Sequence, residues 1–128
     1  MGRLLLVAAG GAVGSALRYV VAIAAVTWLG PTFPWGTLAV NLVGSFLIGL
    51  IQQLATEALV LSEETRLFLT TGVMGGLTTY SAFSYETVRL LETGAVWQGW
   101  LNVVVTTAAC VALCFLGLST GRLLLAPR

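Results

Sequence analysis

The stretch Thr70-Thr71-Gly72-Val73-Met74-Gly75-Gly76-Leu77-Thr78-Thr79-Tyr80-Ser81-Ala82-Phe83-Ser84-Tyr85-Glu86 decides how this chain folds. It sits inside a long apolar segment, yet its glycines and threonines are poor interior helix formers, so a helix running through it should break near 75–79. At membrane depth, non-helical backbone is tolerated only where protein buries it or where it lines a cavity. Freed carbonyls are hard oxygen ligands for a small cation, whereas a restarting helix directs its amides at an anion. Standing alone, the break would read as a glycine kink. After it, however, Tyr80 and Phe83 fall three residues apart on one helix face, with the hydroxyls of Ser81 and Ser84 interleaved. Aromatic ring edges carry the positive part of the quadrupole, so a constriction lined by them solvates a small anion without a fixed positive charge. Weak coordination at several sites is what conduction requires.

The rest of the sequence makes the membrane setting plain. The chain is 58% hydrophobic and 9% charged, with a mean hydropathy of +0.97, whereas a soluble domain devotes about a quarter of its residues to charge. Its 128 residues accommodate about four spans of roughly 20 residues, each crossing a hydrocarbon core ~30 Å thick. The expected architecture is therefore an all-α membrane protein, a single four-span domain over 1–128 with four transmembrane helices at about 4–29, 36–58, 65–92 and 97–125, the third one broken. Gly30-Pro31 and Pro34 end the first span, and Trp28 and Trp35 stand where interfacial anchors belong. Ser62 is placed to cap the third, with Glu63 and Glu64 favouring its dipole. The opening Met1-Gly2-Arg3 and its leucines imitate a signal peptide, but apolar character continues to Leu29, which reads as a retained span. Leu6 occupies the position where a myristoylation motif requires Ser or Thr.

All six basic residues are arginine and the net charge is +1, so there is no basic footprint and nucleic acid is not an expected partner. Arg3, Arg66, Arg122 and Arg128 flank one side and Arg89 the other, which puts both termini in the cytoplasm by the positive-inside rule. So small a bias leaves dual orientation open. Cys110 and Cys114, one helical turn apart without histidine nearby, read as small hydrophobes.

Each span carries a polar or small-residue face. On the first, Gly10-xxx-Gly14 and Gly11-xxx-Ser15 form a flat surface for a neighbouring helix. Arg18 lies on that face, either toward a water-filled vestibule or as an anchor paired to carbonyls or to Glu86. On the second, Gly36, Thr37, Asn41, Gly44, Ser45 and Gly49 share one face centred on Asn41, whose amide serves either as interhelical glue or as pore lining. The fourth places Asn102, Thr106 and Cys110 at four-residue steps, and Thr106 either bonds its own backbone or faces a solvent pathway.

The segments Gly10-Gly11-Ala12-Val13-Gly14-Ser15-Ala16-Leu17-Arg18-Tyr19, Gly36-Thr37-Leu38-Ala39-Val40-Asn41-Leu42-Val43-Gly44-Ser45-Phe46 and Gly75-Gly76-Leu77-Thr78-Thr79-Tyr80-Ser81-Ala82-Phe83-Ser84 together resemble the CrcB/Fluc family of fluoride channels, in order and across essentially the whole chain. The resemblance implies an antiparallel, dual-topology homodimer in the inner (plasma) membrane, or a pair with a paralogous subunit. It also implies two pores along the interface and passive export of fluoride that entered as its neutral acid. It assigns Asn41 as a fluoride donor, puts Tyr80 and Phe83 in place of paired phenylalanines, offers Ser81, Ser84, Thr37 and Thr106 as hydroxyl donors, and turns Arg18 toward a vestibule. The carbonyls of Gly75 and Thr78 match a central structural sodium site to which two chains each contribute two oxygens. Tyr80 stands where phenylalanine is usual, Ala82 where Thr or Ser is common, and Asn102 about where many relatives place a tyrosine. The competing reading is a small multidrug-type proton-coupled exporter, which requires a membrane-embedded carboxylate in the first span. That span has none.

Overall fold

The computed structural model describes residues 1–57 and 61–126, with the side chain of residue 57 excluded. The expected end of the second span at Ala58, and Arg128 of the arginine count, lie outside the described residues. Everything described is helix or short connection. Helix α1 covers Gly2–Leu29 and α2 Trp35–Glu57; then come α3 (Glu63–Leu67), a π-helical segment π1 (Phe68–Met74), α4 (Gly75–Leu77), α5 (Tyr80–Glu92) and α6 (Val96–Leu125). Three of these, α1, α2 and α6, are long and apolar enough to cross a membrane. The remaining apolar segment is assembled from the shorter pieces α3 to α5.

Local chemistry accounts for the ends. Gly30 and Gly94 both take φ of 83°, the left-handed region that glycine enters without penalty, and they turn the chain after α1 and α5 respectively. Ser62 caps α3 by accepting from the Thr65 N–H at 3.1 Å, and two acidic residues follow in the first turn. The π-helical turns over Phe68–Met74 include Thr70, Thr71 and Gly72.

Small residues set the packing. Helix α1 runs parallel to the α3–α4 segment, with Gly10 against Phe68 and Gly72, and Gly14 against Val73 and Leu77. A Cβ at Gly14 would overlap the Val73 carbonyl and lie 2.7 Å from the Leu77 nitrogen. Helices α2 and α6 also run parallel to each other, Gly49 meeting Cys114 and Gly117 meeting Phe46. Such close approach lets dispersion and backbone contacts hold helices together where lipid offers no hydrophobic gain. The core between the two pairs is Val40, Val73, Met74 and Leu77, flanked by Leu47, Ile48, Ile51 and Phe68.

This arrangement gathers Trp28, Trp35, Trp97 and Trp100, all exposed, at one end of the bundle, as membrane-interface anchoring requires. Arg3, Arg66 and Arg122 lie at the other, where Arg3 and Glu63 form an exposed ion pair at 2.9 Å; such pairs contribute little. Replacing Gly14 with Ala should destabilise the protein by about 1–3 kcal/mol, the usual cost of overpacking. Gly11→Ala is the control, since a Cβ there meets nothing within 4 Å. Thermal unfolding in detergent checks the pair, and equal melting temperatures would contradict this packing.

Candidate functional site

Thr78 (φ −80°, ψ 155°) and Thr79 (φ −154°, ψ 114°) are extended residues between two helices. Extended backbone there leaves polar groups that need partners. Asn41 supplies them: its Nδ2 donates to the Thr79 carbonyl at 3.1 Å and its Oδ1 accepts from the Thr79 N–H at 2.8 Å. The amide thus pairs with Thr79 as a neighbouring strand would. The Thr79 hydroxyl caps α5 by accepting from the Ala82 N–H at 3.2 Å, and it shares a hydrogen bond with Ser81. Both the N–H and the hydroxyl of Thr78 donate to the Met74 carbonyl. Gly44, one turn beyond Asn41, makes room for the Thr78 methyl, which any Cβ at 44 would strike.

Because the Thr79 N–H goes to Asn41, the Gly75 carbonyl four residues back loses its usual helical donor. Gly75 is exposed and Thr78 half-buried, so hard carbonyl oxygens of the kind that suit a small cation lie near the surface of the single chain. Two from one chain are too few for a coordination shell, and among the described residues no group of three or more His, Cys, Asp or Glu could hold a metal. Arg18 brings a guanidinium nitrogen to 3.5 Å from the Thr78 carbonyl. Glu86, the other partner considered for Arg18, instead accepts from the Thr37 hydroxyl at 2.7 Å.

The extended pair borders a cavity of about 490 Å³ into which Asn41, Gly75, Thr78, Tyr80, Phe83 and Thr106 all open. Tyr80 and Phe83 have centroids 5.4 Å apart with rings tilted by 47°; Tyr80 is 80% exposed and Phe83 only 7%. Thr37 belongs to a second cavity of about 650 Å³, with Glu86, Tyr85 and Arg89. Ser81, Ser84 and Arg18 line neither.

The direction of each hydrogen bond limits what the cavity can donate. Ser84 gives its proton to the Tyr80 carbonyl at 2.9 Å, Thr37 to Glu86, and Thr106 to the Asn102 amide oxygen at 3.2 Å. Asn41 retains its second amide proton. Ser45 and Thr107 also line the cavity, and among the described residues their hydroxyls make no hydrogen bond. The four-residue step from Asn41 was the signal for Ser45. Thr107 follows Thr106 directly and carries no comparable signal.

Residues 5–118 match the family model described as CrcB-like protein, Camphor Resistance (CrcB). A relative from Agrobacterium fabrum, named fluoride-specific ion channel FluC, is 50% identical over 117 residues, spanning 91% of this chain and 94% of that protein. Proteins of the same name from Geobacter sulfurreducens and Clostridium perfringens are 46% and 40% identical, over 95% and 94% of this chain and 98% and 94% of theirs. With a family match across most of its length, this all-helical chain belongs to the CrcB-like family.

Proposed function

We propose that this chain is a fluoride-selective ion channel, neither an enzyme nor a carrier, working as an antiparallel homodimer with two pores along its interface. The observation that carries the reading is the cavity beside Thr78 and Thr79, where Asn41, Tyr80 and Phe83 meet on the flank of a chain that exposes many large hydrophobic side chains. The family match and the names of the relatives support the ion.

The Gly75 carbonyl has lost its helical donor, and lipid cannot cover such a group without a cost of several kcal/mol, so this flank calls for a protein partner. A second copy of the same chain, inverted, would bring the same carbonyls and the same cavity to this flank and close it. An anion in the enclosed path meets the second N–H of Asn41 and the ring edges of Tyr80 and Phe83. Ser81 and Ser84 stiffen the aromatic turn. Arg18 and Thr37 belong to the approaches, and Thr106 forms part of the wall.

The Gly75 and Thr78 carbonyls would hold a sodium ion together with the same pair from the second chain, four oxygens in all. Its charge would draw anions into the neighbouring pores. Passive export across the inner membrane follows when fluoride enters the cell as neutral acid and ionises there. The proton-coupled exporter reading lacks its embedded carboxylate, since α1 contains no Asp or Glu.

Purified protein in liposomes should pass fluoride down its gradient while excluding chloride; equal flux of the two ions, or none of either, would refute the channel reading. Phe83→Ile keeps apolar volume but removes the ring edge. It should cut fluoride flux at least about tenfold, the loss of one sizeable polar interaction, with the dimer intact by size-exclusion chromatography. Flux at the unsubstituted rate would make Phe83 a packing residue only. For the cation, exchanging sodium for a large organic cation should lower the dimer's melting temperature, and an unchanged transition would count against the site.

A further inference from the structure

Asn102 is the most deeply buried polar residue described, 1% exposed, and it belongs to α6, its side chain reaching Thr87 of α5. Its amide links three hydrogen bonds into one chain. Thr87 donates to the Phe83 carbonyl at 2.7 Å, Asn102 Nδ2 donates to the Thr87 hydroxyl oxygen at 2.9 Å, and Thr106 donates to Asn102 Oδ1 at 3.2 Å.

The sense of this chain is fixed by its first member. A carbonyl only accepts, so the single hydroxyl proton of Thr87 points at Phe83. Thr87 can then only accept from Asn102, which turns the amide nitrogen toward Thr87 and the amide oxygen toward Thr106. Facing an acceptor, Thr106 must donate. Its one proton is thus committed to Asn102 and is not offered to the cavity that Thr106 lines.

We propose that Asn102 is a positioning residue that withholds the Thr106 hydroxyl proton from the anion path. Resting on the channel reading above, this makes Asn102 a determinant of how tightly the path holds fluoride. A free hydroxyl at 106 would add a charge-assisted donor to the cavity shared with Asn41 and Phe83. Such bonds are about twice as strong as neutral ones, and an anion held more firmly leaves more slowly. Asn102 keeps the site weak.

The test measures the fluoride concentration at half-maximal flux in liposomes. Asn102→Leu removes the acceptor, while Thr87→Val removes the anchor that fixes the amide's orientation and lets it flip, presenting its nitrogen to Thr106. Either change should release the Thr106 proton from the amide oxygen, and an anion within reach, a stronger acceptor than the backbone carbonyl four residues back, should then lower the half-saturating concentration about tenfold, the effect of one charge-assisted hydrogen bond. Adding Thr106→Val to either variant should abolish that fall. A purely structural role would reduce melting temperature without this dependence on position 106. An unchanged half-saturation in folded Asn102→Leu and Thr87→Val proteins, or a fall that persists with valine at 106, overturns the proposal.

A second measurement does not depend on fluoride transport. In the unsubstituted protein in micelles, the Thr106 hydroxyl proton should exchange slowly with solvent and show a nuclear Overhauser contact to the Asn102 side chain. Rapid exchange there overturns the proposal even if the protein conducts. Slow exchange in a protein that fails to pass fluoride would uphold the hydrogen-bond chain while refuting the channel reading.

Discussion

The two hydrogen bonds between the Asn41 amide and the backbone of Thr79 are the interaction on which the rest of this structure depends. Two extended residues inside an apolar bundle expose backbone groups that water would satisfy in a soluble protein. Here one side chain satisfies both polar groups of Thr79. Without it, a buried N–H and a buried carbonyl would each go unpaired at about 1–3 kcal/mol, and continuing the helix through 78 and 79 would be the cheaper alternative. The Asn41 amide stabilises extended backbone, and that backbone in turn leaves the Gly75 carbonyl without a helical donor and starts α5 anew at Tyr80. The cavity and its aromatic pair follow from that restart.

Proton direction then decides which polar groups remain available. Threonine and serine in apolar helices commonly donate to the carbonyl four residues back, and Thr87 and Ser84 do so here. Thr37 and Thr106 turn instead to side-chain acceptors. A surface that looks rich in hydroxyls by composition therefore offers few free protons. For an ion that must leave as readily as it enters, a sparse set of donors is the better arrangement, because each further donor deepens the well from which it must escape.

Much of this was legible in the sequence. Hydropathy and the Gly30-Pro31 turn located the long helices, and the small residues of α1 pointed to a packing face, which the structure sets against Gly72, Val73 and Leu77. Residue types and helical spacing singled out Asn41, Tyr80 and Phe83, and all three open into one cavity. Other features had no local signature. The π-helical turns over Phe68–Met74 lie where the segment packs closely on Gly10 of α1, and helix propensity alone does not distinguish π from α turns. Asn41 faced two readings, glue or lining, and its amide is large enough for both: one face bonds Thr79 while the side chain still borders the cavity. The pairing of Glu86 with Thr37 rather than Arg18 depends on how α5 is rotated against α2, and spacing along a single helix does not set that rotation.

Arg18 presents the most demanding electrostatics. A guanidinium at this depth costs at least ~2.5 kcal/mol unless it finds acceptors or water, and the acceptor it approaches, the Thr78 carbonyl, is one proposed for a cation. The two uses are compatible, since a carbonyl oxygen carries two lone pairs and a 3.5 Å contact engages one of them only weakly. Two positive groups on one oxygen nevertheless repel each other, and in a low dielectric that repulsion is poorly screened. The arrangement is sustainable if negative charge lies close by for much of the time. Anions in the flanking pores would provide it, so in the proposed dimer the permeating ion would offset the cation and the arginine together, and their mutual repulsion would make the path more attractive to an anion.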